Sequence, residues 1–119
     1  MLRPTNVIPL KARLFRALSD EPRLAVLEQL GQGERRVSDL AGDLGLSQSA
    51  VSTHLASLHA AGAVERRAEG RSAYYAFAHP SVETLLSAAE EVICAPLQNV
   101  YACVQECCVA AEQAASERL

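Results

Sequence analysis

The sequence lacks a long apolar run, a strong positive charge and any sign of a catalytic constellation. None of its apolar stretches approaches the roughly 18 residues that a membrane-spanning helix needs. The first residues do not show an apolar segment followed by a small-residue cleavage site. No oxyanion motif accompanies the cysteines and histidines. We therefore expect a cytoplasmic protein that is not an enzyme and has no membrane partner.

The net charge of −3 is unevenly distributed along the 119 residues. Residues 1–79 carry ten basic and eight acidic side chains, whereas residues 80–119 carry one basic and six acidic ones. The N-terminal part is therefore weakly basic, and its arginines occur in a few clusters, which keeps a nucleic-acid partner open. At this length we predict a single domain, residues 1–119, that gains part of its apolar burial by dimerising.

Apolar periodicity predicts four helices, then a hairpin, then two more helices. In the second helix, "DEPRLAVLEQLGQG", Asp20 is the expected N-cap and Pro22 suits the first turn. The third, "VSDLAGDLG", is expected to begin at a Ser38 cap and to end at Gly45. The fourth, "LSQSAVSTHLASLHAAG", is expected to have Ser47 as its cap. Its inward-facing positions follow helical spacing: Val51, Leu55 and Leu58.

The segments "AVERR" and "SAYYAFA" predict a two-stranded hairpin that turns at Glu69-Gly70. Alternation along the second strand predicts that one of Tyr74 and Tyr75 packs in the core while the other faces outward. Pro96 is expected to interrupt the following helix, so that a last helix covers about residues 97–115.

Two short helices joined by a glycine turn and followed by a hairpin with arginines form a winged helix-turn-helix pattern. The resulting fold class is mostly α with a small β-hairpin wing. Polar side chains at the start of the fourth helix suit base edges and phosphates, and the wing arginines suit the DNA backbone or a minor groove. The predicted DNA-binding residues are Ser47, Gln48, Ser49, Ser52, Thr53, His54, Arg66, Arg67 and Arg71. The opposing interpretation of any one serine or threonine is a solvated helix face, and histidines without metal-ligand partners favour packing or surface roles.

The segments "FRALSDEPRLAVLEQL" and "LSQSAVSTHLASLHAAGAVERRAEGRSAYYAF" resemble the ArsR/SmtB family of bacterial metal-sensing repressors over about residues 10–79. The resemblance implies a winged-helix homodimer whose first and last helices form the interface. It also implies double-stranded operator DNA as the partner, bound when metal-free and released when a metal ion binds. By position, it makes Ser38–Leu44 and Gln48–Ala61 the DNA-reading helix pair and Arg66–Phe77 the wing. Residues 80–119 become C-terminal dimerisation helices that carry the sensor.

Two ligand positions known in that family do not match this chain. A cysteine pair in the first helix of the helix-turn-helix is replaced by "VSDLAGDL", and the segment "HPSVETLLSAAEEVI" offers only His79 and glutamates. The matching candidates are the C-terminal thiols Cys103, Cys107 and Cys108, with Cys94 as a further ligand.

Three thiolates form a soft site that selects thiophilic ions. We expect As(III) as the effector, with Cd(II), Pb(II) or Hg(II) as alternatives. On a regular helix Cys108 points about 100° away from Cys107, so a helix distortion, Cys94 or the partner chain must complete the site. The alternatives are a thiol redox switch on the same DNA-binding fold and small apolar cysteines in a core.

Overall fold

A computed structural model describes residues 6–94 of the chain. The helices are α1 (Ile8–Leu18), α2 (Glu21–Gln29), α3 (Val37–Leu44), α4 (Gln48–Ala60) and α5 (Ser81–Cys94), with a 3₁₀ turn at Leu30–Gln32. The strands are β1 (Arg35–Arg36), β2 (Val64–Glu69) and β3 (Ser72–Phe77). The chain divides into two units between Glu83 and Thr84, and the described part of the second unit is the C-terminal portion of α5.

Side-chain caps begin two of the helices as predicted. The Asp20 carboxylate accepts a hydrogen bond from the Arg23 backbone N–H at 3.1 Å, and Pro22 lies in the first turn of α2. The Ser47 hydroxyl accepts one from the Ala50 N–H at 3.0 Å. Each bond satisfies a backbone donor that has no partner within its helix.

The start of α3 differs from its prediction, because Arg36 rather than Ser38 is the N-cap residue. Arg36 has an extended backbone (φ −91°, ψ 161°) and is already paired in β1, so the helix begins directly after the strand. The Asp39 carboxylate accepts a hydrogen bond from the Arg36 N–H at 3.2 Å. Ser38 lies within the helix and is not needed as a cap.

A left-handed glycine joins α3 to α4. Gly45 has φ +65°, a conformation that costs an L side chain energy. The next amide, Leu46 N–H, donates to the Ala41 carbonyl at 3.1 Å and so closes the end of α3. The predicted position of the turn between the two helices is confirmed.

The predicted hairpin of β2 and β3 is present, and a third strand, β1, which was not predicted, pairs with β3 to give a three-stranded antiparallel sheet. The strand order is β1-β3-β2, with Arg35 opposite Tyr75 and Arg36 opposite Tyr74. β1 has only two residues, too few to show a strand pattern in the sequence. The hairpin turn lies at Gly70-Arg71, one residue later than expected, and Gly70 supplies the positive φ (+60°) at its first central position.

The apolar core of the first unit lies between α2, α3 and α4. Its fully buried larger side chains are Val26, Leu27, Leu40, Val51, Leu55 and Leu58. The predicted inward face of α4 is therefore confirmed. The expectation for Tyr74 and Tyr75 is wrong, because both side chains are only partly buried.

Three further predictions concern a membrane span, the C-terminal helices and the boundary near residue 80. No helix within residues 6–94 is long and apolar enough to cross a membrane. The predicted break at Pro96 and the helix over residues 97–115 lie outside that range. The division into a core at residues 10–79 and a C-terminal part at 80–119 stays a prediction.

Candidate nucleic-acid interface

The N-terminal half of α4 presents a polar face to solvent. Five of the predicted DNA-binding residues are exposed there: Ser47, Gln48, Ser49, Ser52 and Thr53. The opposite side of the same helix buries Val51 and Leu55 completely. Core packing thus fixes which face of α4 points outward.

Local hydrogen bonds constrain two of the exposed hydroxyl groups. Ser47 Oγ accepts from the Ala50 amide, which leaves its O–H free to donate. Thr53 Oγ1 donates to the Ser49 carbonyl at 3.0 Å, which leaves its lone pairs free to accept. The side chains of Gln48 and Ser52 make no hydrogen bond to any residue between 6 and 94. The face therefore offers oriented donors and acceptors to a ligand.

His54, which is also among the predicted DNA-binding residues, is half-buried and not part of this exposed face. Its side chain is only 18% exposed, and Nδ1 lies 3.9 Å from the Asp20 carboxylate, beyond hydrogen-bond distance. Nδ1 is buried and has no hydrogen-bond partner among the described residues. The imidazole thus packs against the connection between α1 and α2, away from the outward face of α4.

The three predicted wing arginines have different surroundings. Arg66 and Arg71 are exposed and make no ion pair with the described part of the chain. Arg67, by contrast, forms ion pairs of 2.6 Å with Glu34 and with Glu69. Of these three side chains, Arg66 and Arg71 therefore have free guanidinium groups.

Carboxylates close to the wing are stabilised in their charged form. The hydrogen bond from the Arg67 guanidinium lowers the pKa of Glu34 below its ordinary value. The side-chain and backbone hydrogen bonds from Arg36 lower the pKa of Asp39 in the same way. Both groups are negative at neutral pH, so they oppose the approach of a phosphate to Arg67 and Arg36.

A cleft of about 200 Å³ lies where α3, α4 and β3 begin. Its lining consists of Arg36, Val37, Ser38, Gln48, Ser72 and Ala73. Ser38 belongs to the predicted DNA-reading helix pair, whereas Arg36 was not predicted as a site residue, yet the fold places both in the same cleft as Gln48. The only sequence signal was the pair Arg35-Arg36 directly before α3, and its meaning depends on the unpredicted strand β1.

The predicted sensor is largely outside the described residues, where Cys103, Cys107 and Cys108 lie. Between residues 6 and 94 no group of three or more His, Cys, Asp or Glu side chains is arranged to hold a metal ion. Cys94, at the end of α5, is disulfide-bonded. A sulfur in a disulfide is not a thiolate ligand.

Known proteins with the same elements are DNA-binding regulators. Over 98 residues the chain is 34% identical to the uncharacterized HTH-type transcriptional regulator Rv0081 of Mycobacterium tuberculosis, covering 82% of this chain and 86% of the relative. Over 97 residues it is 36% identical to a probable mercury resistance operon repressor of Streptomyces lividans, covering 82% and 74%.

A solved structure from Mycobacterium bovis has the same fold. It is the solution NMR structure of a homodimeric winged helix-turn-helix DNA-binding domain, a possible ArsR-family transcriptional regulator. The TM-score is 0.72 at 32% identity, over 82% of this chain and 94% of that one. Residues 20–66, from the cap of α2 into β2, match the bacterial regulatory proteins of the arsR family. With its helix pair, its wing and these relatives, the chain belongs to the ArsR family of transcriptional regulators, which are DNA-binding proteins and not enzymes.

Proposed function

We propose that this protein is a transcriptional repressor that binds operator DNA as a homodimer and releases it when its C-terminal thiols react. The observation that carries the proposal is the outward polar face of α4, together with two exposed wing arginines, Arg66 and Arg71, that make no ion pair among the described residues. An α-helix fits the DNA major groove, whose width is about 12 Å. Because an operator-binding protein works on the chromosome, we place it in the cytoplasm.

The proposed contacts divide between base edges and phosphates. Gln48, Ser49 and Ser52 offer amide and hydroxyl groups that are free to bind base edges in the groove. Arg66 and Arg71 offer positive charge to the sugar-phosphate backbone on the wing side. In a two-fold dimer the paired α4 helices would meet half-sites roughly 34–36 Å apart.

Apolar exposure on α1 supports dimerisation. Ile8 is 73%, Leu10 64% and Phe15 54% exposed in the single chain. Large apolar side chains grouped on one helix mark an interaction surface. The homodimeric state of the Mycobacterium bovis domain supports a second copy of the chain as the partner. We therefore propose α1 and the C-terminal helices as the dimer interface.

The proposed effector is a thiophilic ion that binds Cys103, Cys107 and Cys108, with Cys94 as a further ligand. As(III) suits three thiolates, and Cd(II), Pb(II) and Hg(II) share the preference for sulfur. A relative described as a probable mercury resistance operon repressor supports this class of ion. Since Cys94 is disulfide-bonded, it must be reduced before it can bind an ion.

The disulfide at Cys94 favours a second candidate, a thiol redox switch. Two cysteine thiols would lose two electrons and two protons to a peroxide as the S–S bond forms, and the peroxide would be reduced to water or an alcohol. DNA release would then follow oxidation, and a dithiol reductant would restore binding without any metal ion.

Fluorescence anisotropy on the protein's own promoter fragment tests both parts. We expect binding by the reduced, metal-free protein to weaken steeply between roughly 50 and 200 mM salt. As(III) should release the DNA in the presence of reductant, and Cys107→Ser and Cys108→Ser should abolish that response. Peroxide release with no response to any of the four ions would select the redox switch. Failure to bind the promoter even at low salt would contradict the DNA-binding proposal.

A further inference from the structure

We propose that the three wing arginines have separate roles, with Arg67 as a positioning residue that holds the wing and only Arg66 and Arg71 as phosphate contacts. The inference refines the proposed DNA-binding function and rests on it for the roles of Arg66 and Arg71. It does not rest on it for the role of Arg67, which concerns the free protein.

The strand register places Arg66 and Arg67 on opposite faces of the sheet. Arg66 pairs with Tyr75 and Arg67 with Tyr74, and side chains of consecutive strand residues point in opposite directions. Glu69, two residues along β2, shares the face of Arg67. The two adjacent arginines therefore cannot approach the same stretch of DNA backbone in the same way.

Every nitrogen of the Arg67 guanidinium is already bound to a carboxylate. Nε and Nη2 donate to the two oxygens of Glu34 at 3.1 and 2.6 Å, and Nη1 donates to Glu69 at 2.6 Å. This arrangement combines a bidentate pair with a further carboxylate on the same group. Two negative charges thus surround one positive charge, and a phosphate would have to displace them.

The Arg67 side chain also connects all three strands of the sheet. It starts on the edge strand β2, and its guanidinium lies over the Tyr74 ring of the central strand at 4.8 Å from the ring centroid. It then reaches Glu34, which directly precedes β1 on the other edge. Arginine over an aromatic face is a favourable cation–π arrangement. The contact thus ties the two-residue strand β1 to the hairpin.

Exposed ion pairs usually contribute little to stability, and bidentate pairs within a network are the exception. Arg67 forms a bidentate pair with Glu34 and a further pair with Glu69, whereas Arg66 and Arg71 form no ion pair with the described residues. Glu65 lies on β2, the strand of Arg67. It serves as a control carboxylate for Glu34, because it is exposed and has no ion pair within the described residues.

The salt dependence of DNA binding separates the two roles. In plots of log affinity against log salt, Arg66→Gln and Arg71→Gln should each make the slope shallower by roughly 0.9 for every phosphate that the variant no longer neutralises. Arg67→Gln should leave the slope unchanged. A change for Arg67→Gln as large as that for Arg66→Gln would overturn the proposal.

The variant Glu34→Gln distinguishes the two possible roles of Arg67, because only a phosphate contact predicts a gain in DNA affinity. If Arg67 were a phosphate contact, removing Glu34 would free it, and affinity and salt slope would both rise beyond the effect of Glu65→Gln. If Arg67 holds the wing, affinity relative to Glu65→Gln should be unchanged or lower, with the same slope. An increase in slope seen for Glu34→Gln alone would contradict the positioning role.

Amide hydrogen exchange of the free protein tests the wing without DNA. Arg67→Gln and Glu34→Gln should each accelerate exchange in β1 and β2, the double variant should add little, and Arg66→Gln and Glu65→Gln should have no effect. Equal exchange in all variants would overturn the role of Arg67. Should the wild-type protein bind no promoter DNA, the proposed function fails, and this exchange comparison still decides whether Arg67 holds the wing.

Discussion

The helix pair α3–α4 and the wing are stabilised in different ways. Apolar side chains hold the helices: Leu40, Val51, Leu55 and Leu58 are fully buried. In the wing only Val64, at the start of β2, is buried, and no residue of β3 is. All residues of β3 are half-buried, so the wing depends on partial packing, on backbone pairing and on exposed charged contacts such as Arg67 with Glu34.

The difference has a consequence for DNA binding. A helix anchored in a packed core presents its outward side chains in one orientation, which suits base recognition. A sheet held by exposed pairs can be displaced at lower cost, which suits contacts to a backbone that has the same charge at every step. We therefore expect α4 to determine sequence preference and the wing to determine affinity and salt dependence.

Removal of a core side chain from α4 should have the largest effect. Leu55→Ala leaves a cavity at a fully buried position and should reduce the free energy of unfolding by about 2–5 kcal/mol. Urea unfolding at a fixed protein concentration measures this loss. Ser52→Ala, on the exposed face of the same helix, is the control and should change stability by no more than about 0.5 kcal/mol. Comparable losses for both variants would contradict the assignment of the two faces.

Loss of the α4 cap should have an intermediate effect. Ser47→Ala removes the acceptor for the Ala50 N–H and should cost about 1 kcal/mol of stability. Ser49→Ala is the matched control, because the Ser49 hydroxyl caps nothing in the helix. Thermal unfolding of the two variants side by side tests the cap, and a Ser49→Ala variant as unstable as Ser47→Ala would refute it.

The same contrast explains which features the sequence predicts. The bonds of Asp20 and Ser47 join residues three positions apart, so the local pattern contains all the information that they require. The inward face of α4 follows from helical periodicity alone. These features lie in the helical part of the fold, where neighbours in the chain are neighbours in space.

Features of the wing depend on residues far apart in the chain. Glu34 and Arg67 are separated by 33 positions, and β1 is a strand only because β3 lies beside it. The start of α3 was misplaced for the same reason, since Arg36 is held in the sheet. The half-buried position of His54 beside Asp20 is likewise a tertiary contact, because the two residues lie 34 positions apart in the chain. These contacts join residues that are far apart in the chain, so the local sequence pattern around either residue does not reveal them.

The pH dependence of amide protection in the wing should show the smallest effect. It is also the effect that tests the charged contacts most directly. In the folded protein the pKa of Glu34 lies below its ordinary value of 4.5, because Arg67 donates to it. A lowered pKa in the folded state means that the unfolded chain binds the proton more readily. The contribution of the pair is thus complete above the unfolded value and is lost as the pH falls through the folded pKa. Amide exchange in β1 and β2, corrected for its intrinsic pH dependence, should therefore become faster relative to α4 as the solution is acidified below about pH 4.5.

Glu34→Gln serves as the control for this acid effect, because glutamine does not titrate. In that variant wing protection should already be reduced at neutral pH, and the part of the acid response that comes from Glu34 should be absent. The pKa of Asp39 is also lowered, so a smaller response should remain at the end of β1, where Arg36 donates to that carboxylate. An unchanged acid response in Glu34→Gln would show that the contact between Glu34 and Arg67 does not hold the wing.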